Sequence, residues 1–199
     1  MGSFKLVHGV GVNDWHSKVR VNGKMIPEYQ LWANMLYRGV KAEGGAFYPT
    51  YVGVTVDYMW YSLTAFINDV STLVGYEKAL TEGWHLDKDI LNKGNKHYSL
   101  KTCCFVPNSI NSLIISCSAS RGKYPVGVCF NKIKSKFVAQ ITYEGKTTGL
   151  GYYNTPEEAF QAYKTAKEKH IKLIAEKYKD LIDCKVYQAL LSWEITIKD

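Results

Sequence analysis

The sequence predicts an α+β protein: an N-terminal helical region containing a short ββα segment, followed by a three-stranded antiparallel sheet packed on one helix. Three observations lead there. Apolar residues between positions 27 and 70 recur at helical intervals, those between 126 and 153 alternate as strands do, and a strongly capped helix opens at Thr155. With 199 residues and 46% hydrophobic content the chain can bury one sizeable core or two small ones. The expected division is residues 1–118 for the helical region, with its ββα segment at about 83–114, and residues 119–199 for the sheet, its helix and a C-terminal extension.

The first dozen residues, with Gly9 and Gly11 among valines, read as an extended or looped entry and lack the further glycines and Lys-Ser/Thr of a phosphate cradle. From Pro27 a helix is expected, with Tyr29, Trp32, Met35 and Leu36 on one face. Glu43 to Val54 is rich in Gly, Tyr and Pro and reads as a loop. Beyond it Trp60, Leu63, Phe66, Ile67 and Val70 mark a second helix. Such aromatic stripes could stack on bases, but amphipathic helices generally hide them, so core packing is the reading adopted. Trp84 to Ile114 suggests a hairpin or short strand, a Gly94-Asn95 turn and a short helix after Pro107.

After the linker-like SCSASRGKYP, strands are expected at Val126–Phe130, Lys136–Tyr143 and Thr147–Tyr153, the last two joined by Glu144-Gly145-Lys146. Thr155, Pro156, Glu157 and Glu158 supply an N-cap, a first-turn proline and a capping-box glutamate. Ala159, Ala162, Tyr163, Ala166, Leu173 and Ile174 continue that helix as an apolar stripe, with His170 at its edge. Cys184–Leu191 reads as a further helix, and the alternation of WEITIKD as a short strand.

The formal charge of +7 is unevenly placed. Residues 1–118 carry 11 Lys and Arg against 9 Asp and Glu, residues 119–179 carry 12 against 5, and the remainder carries 2 against 4. A local excess of that kind suits a polyanion, because each neutralised phosphate releases counterions. The five cysteines (103, 104, 117, 129 and 184) are odd in number without CxxC spacing, which argues against a disulfide framework or a structural zinc. Met1 to Val12 has no sustained apolar core, and no apolar run approaches the ~20 residues of a membrane span, so a cytoplasmic protein without a membrane partner is expected.

If Phe137, Ala139, Ile141 and Tyr143 face the helix, then Lys136, Val138, Gln140 and Thr142 face away. Asn131, Lys132, Lys134, Lys146 and Thr147 border the same surface. Lysines for phosphates, with Gln, Asn and Thr for base edges, suit a sheet lying on double-stranded DNA, since a major groove admits a two-stranded ribbon.

YPVGVCF, SKFVAQI and LGYYNTPEEAFQAY, in that order, resemble the DNA-binding domain of the plant APETALA and ethylene-response proteins. The resemblance implies a sheet in the major groove, with contacts from Cys129, Asn131, Gln140, Thr142 and Thr147. Several of these positions are arginine in the plant domains, and Gly149 stands where they commonly have tryptophan.

WHLDKDILNKGNKHYSLKTCCFVPNSIN also resembles a segment of phage proteins described as HNH or mobile-type homing endonucleases that carry this DNA-binding domain. An HNH site needs a metal ligand and a histidine base, an Asn bracing the loop, and a last His or Asn on the helix. By this resemblance Asp87 opens the site, Asn95 is the central Asn, and Asn108 or Asn111 supplies the last position. Lys88 stands where the histidine base belongs, leaving His85, two residues before Asp87, or His97 to replace it. Asp87 and Asp89 would share a strand face and offer two hard oxygens to Mg²⁺. Where relatives often carry cysteines, this chain has Gly39 and Gly53.

Two functions follow as expectations: a metal-dependent DNA endonuclease, nicking or homing, or a DNA-binding protein that no longer cuts and serves as a regulator or phage counter-defence factor in the host cytoplasm. A protein-interaction module built on the N-terminal aromatics is the third and weakest.

Overall fold

The structure is a computed structural model that describes residues 6–40, 51–114, 122–143 and 145–197. Residues 43–50 of the loop expected at 43–54, most of the linker, Cys117 and Glu144 fall outside these residues. The chain forms two compact units, Met1–Ser112 with Lys179–Ala189, and Leu113–Tyr178 with Leu190–Asp199. The architecture is α+β, as the sequence predicts.

In the first unit, β1 (Arg20–Val21) and β2 (Lys24–Met25) form a hairpin that the sequence reading passed over. Asn22 and Gly23 at its turn both have positive φ, 49° and 77°, the pattern of a type I′ turn. Helix α1 (Pro27–Val40) buries Trp32, Met35, Leu36 and Gly39, largely the predicted stripe. The Trp32 indole donates to the Trp60 carbonyl at 2.7 Å, which fixes a large buried ring by its one polar atom. Gly39 is required by packing: a Cβ there would stand 2.4 Å from Cγ2 of Val56, on β3 (Thr55–Val56).

A 3₁₀ turn, Tyr58–Tyr61, leads into α2 (Leu63–Val70), whose cap Ser62 accepts from the Ala65 amide at 3.0 Å. Asp14 reinforces this end, accepting from the Thr64 amide at 2.9 Å and the Ser62 hydroxyl at 2.6 Å. A short α3 (Tyr76–Thr81) follows.

The ββα segment then forms with a different pairing from the expected local hairpin. β4 (His85–Asp87) pairs antiparallel with β6 (Cys104–Val106), and α4 (Asn108–Ile114) follows directly. β5 (His97–Tyr98), just past the Gly94 turn, pairs parallel with β3 instead. Phe105, Val106 and Ile110 are fully buried and anchor the segment.

In the second unit, β7 (Val128–Asn131), β8 (Lys136–Tyr143) and β9 (Lys146–Tyr153) form an antiparallel sheet in sequence order, with α5 (Pro156–Tyr178) packed on it. The capping box is present as predicted: the Glu158 amide donates to Thr155 Oγ1 at 3.2 Å, and Glu158 Oε2 accepts from the Thr155 amide at 3.3 Å. Gly127, at φ 75°, lets the chain enter β7 against α5, where a Cβ would lie 2.0 Å from the Tyr163 ring.

Helix α6 (Cys184–Leu191) is where the sequence placed it. Residues 192–197 are not a strand: the Ile195 amide donates to Glu168 Oε1 of α5 at 2.9 Å, and Glu194 pairs with Lys164 at 2.7 Å. Side chains of α5 take the partners that a neighbouring strand would supply. Cys103 and Cys104 are buried free thiols, whereas Cys129 and Cys184 are exposed free thiols.

Candidate functional site

Two surfaces carry the predicted site residues, one in each unit. In the first, alternation along β4 buries Leu86 and leaves His85 and Asp87 half-buried on the other side. Nδ1 of His85 lies 3.1 Å from the amide nitrogen of Asn111, one turn into α4. Asn111 is therefore the helix residue that meets the strand, while Asn108 begins the helix and is exposed. His97 faces elsewhere, its Nδ1 2.9 Å from Thr55 Oγ1.

The strand ends at Asp87, so Asp89 reaches the site through a bend and not along a strand face. Oδ1 of Asp87 accepts from the amides of Asp89 and Ile90, both at 2.8 Å. Burial, with the charge of Asp89 adding to it, raises the Asp87 carboxyl from 3.8 to about 6. Lys88, which stands where the resemblance expects a histidine, is itself buried: its ammonium pairs with Asp89 Oδ2 at 3.1 Å and stands 5.6 Å from the Tyr98 ring centroid.

Asn95 ties the loop together. Its amide nitrogen donates to the carbonyls of Lys88 at 2.7 Å and His97 at 2.8 Å, and its oxygen accepts from the His97 amide at 3.3 Å. Asn95→Ala leaves the Lys88 carbonyl without its donor and the His97 carbonyl with the Thr102 hydroxyl alone, and is expected to cost about 1–3 kcal/mol in urea denaturation. Asn95→Asp, which turns an acceptor toward those carbonyls, costs more. A variant as stable as the wild type would show that the brace is dispensable.

Whether these residues suit Mg²⁺ follows from their donors. Asp87 has one oxygen uncommitted to the turn amides, and Asp89 offers an oxygen already paired with Lys88. Among the described residues no group of three His, Cys, Asp or Glu side chains is arranged to hold a metal. Such a set fits Mg²⁺ in its usual mode at phosphate sites, with one or two carboxylates and the remaining positions filled by water and substrate phosphate. It does not make an all-protein cage.

The second surface is the face of the sheet turned away from α5. Ala139 and Ile141 are buried toward the helix, while Gln140 and Thr142 are exposed, in the predicted alternation. Register places Thr142 opposite Thr147, their hydroxyls 3.0 Å apart, and Gln140 opposite Gly149. Nothing lies within 4 Å of where a Gly149 Cβ would be, and Gln140 opposite it is exposed.

Lys132 and Lys134 lie exposed in the β7–β8 turn, which Asn131 Oδ1 closes by accepting from the Lys134 amide at 2.9 Å. The Lys134 ammonium stands 4.0 Å from the Tyr152 ring centroid, and Lys136 donates to Asn154. Cys129 pairs with Val138 on this same face, and Lys146 is exposed at the start of β9. Lys132 and Lys134 thus stand at one end of a polar strip formed by Gln140, Thr142 and Thr147, and Lys146, opposite Tyr143 in the register, stands at the other. Tyr152 was not read from the sequence, although its alternation with Tyr153 placed it on this face.

Comparison of the chain with family models, curated proteins and solved structures found no match. No helix among the described residues is long and apolar enough to cross a membrane.

Proposed function

We propose that the chain binds double-stranded DNA through the outer face of the β7–β9 sheet and hydrolyses a backbone phosphodiester at the ββα site with Mg²⁺. The observation that carries this reading is the convergence on one short unit of His85, Asn111, Asp87 and a loop held by Asn95. Those are the parts that an HNH-type hydrolysis needs, and the resemblance to phage HNH proteins adds to the reading.

In this scheme Asn95 fixes the loop and the Asp87 carboxylate is presented by the turn amides. Rotating the Asn111 amide by 180° lets His85 Nδ1–H donate to its oxygen, which frees Nε2 to take the proton of an attacking water. When bound, Mg²⁺ supplies charge stabilisation at the leaving oxygen. The sheet positions the duplex, its lysines on phosphates and Gln140, Thr142 and Thr147 at base edges.

A second reading, binding without scission, is favoured by Lys88, which fills the base position and is held there by Asp89. Plasmid scission separates the two. Supercoiled plasmid with Mg²⁺ or Mn²⁺ is expected to be nicked, the nicking to stop in EDTA, and Asp87→Ala and His85→Ala to lose at least a hundredfold in rate, the scale of a general-base contribution. Tight binding with no scission in either metal leaves the second reading.

A further inference from the structure

We propose that Arg38 of α1, with the Tyr98 hydroxyl beside it, is a phosphate-binding site of the ββα unit. The inference rests on the ββα unit acting on DNA, and it assigns a group that neither the sequence motifs nor the reaction scheme above contains.

The Arg38 guanidinium is half-buried and has five N–H donors. Among the described residues it makes one hydrogen bond, a long one of 3.4 Å from Nη1 to Tyr98 Oη, and it is a member of no ion pair with them. Its other neighbour is the Tyr51 ring, 5.9 Å from the guanidinium carbon to the centroid. A partly buried cation normally recovers its lost hydration through a hydrogen-bonded anion. No described residue gives Arg38 a hydrogen-bonded anion, while the Asp87 carboxylate acts on it electrostatically.

Tyr98 links Arg38 to the catalytic turn. Its hydroxyl oxygen accepts from Arg38, leaving the O–H proton for a second acceptor, and Lys88 stands over its ring. Two cations therefore converge on one phenol at the edge of the turn that presents Asp87. A phosphodiester has two non-bridging oxygens spaced for a guanidinium fork, which an ammonium cannot match. Arg38 would hold the phosphate being cut, or the one next to it.

The test uses the full chain in EDTA and reads the Nε–Hε resonance of Arg38, assigned by its loss in Arg38→Lys. Inorganic phosphate, and then a short duplex, are titrated in. Both are expected to shift that resonance. In parallel, duplex binding is measured against salt: Arg38→Ala should lower the slope of log K on log salt by about 0.9, the value of one phosphate contact, while Arg38→Lys keeps the slope. With Mg²⁺, both variants should nick roughly a hundredfold more slowly, as for loss of one transition-state donor.

An unmoved resonance together with an unchanged slope in Arg38→Ala overturns the proposal even if the wild type cuts DNA. Binding without scission removes the hydrolytic reading but leaves Arg38 as a phosphate contact if the resonance and slope respond. If the wild type binds no duplex, a phosphate-dependent shift still upholds the anion site, and its absence ends both readings. Thermal melting shows which variants are folded; should Arg38→Ala fail to fold, the wild-type resonance and Arg38→Lys decide.

Discussion

Asp87→Asn is expected to abolish scission while giving a protein that, without metal at pH 7, resists urea better than the wild type. The carboxyl is buried beside Asp89, and its protonation midpoint rises from 3.8 to about 6. Below about pH 4 Asp87 is protonated in both the folded and the unfolded chain and costs nothing. As pH rises toward 6 the unfolded chain releases the proton freely and the folded chain resists, so the folded state loses stability and stays at the lower level above that pH. A rise of this size corresponds to roughly 3 kcal/mol, an upper bound for the gain in the variant. Asn keeps an oxygen for the amides of Asp89 and Ile90, so the turn survives the change. Urea denaturation at pH 3.5 and pH 7 checks it: the advantage of Asn over Asp should open between these values. A gap equal at both would mean that burial does not disfavour the ionised carboxylate. A stabilising substitution that destroys activity marks Asp87 as a residue kept for chemistry at the fold's expense.

What the sequence disclosed and what it hid divide along the range of the interactions. The helix opening at Thr155 and the three strands before it were legible because capping and alternation are local: Thr155 meets Glu158 within one turn, and each strand faces follow from a period of two. The ββα unit was legible as a set of elements but not in its pairing. β4 meets β6 across a long loop held by hydrogen bonds from Asn95, which turn chemistry marks only as a turn residue and which the resemblance alone names as a brace. Asp89 was placed beside Asp87 by extending a strand that stops at Asp87. Choosing Asn111 over Asn108 depended on which residue of α4 points back at His85, a matter of packing. Arg38 escaped altogether. Its one clue was a charge bordering the stripe of Trp32, Met35 and Leu36, and its proximity to Tyr98 is tertiary.

The sheet makes the second large prediction, since a charge excess can bind DNA either diffusely or through one face. Lys132→Ala, Lys134→Ala and Lys146→Ala combined remove three exposed cations around the strip of Gln140, Thr142 and Thr147. If each holds a phosphate, the slope of log K on log salt falls by about 2.7, and affinity near 0.15 M salt falls on the order of a hundredfold. Folding stability should barely change, because exposed lysines contribute little and only Lys134 has a ring partner, Tyr152. Lys169→Ala, Lys172→Ala and Lys177→Ala on α5 make the matched control: the same three charges are lost from exposed positions on the helix that covers the other side of the sheet. Fluorescence anisotropy of a labelled duplex across a salt series should separate the two triples by roughly the full hundredfold. Equal losses would mean that net charge, not the sheet, holds the DNA. Gln140→Ala and Thr142→Ala then test the remaining half of the mechanism, because removing a base-edge contact narrows the difference between preferred and other sequences while leaving the salt slope where it was.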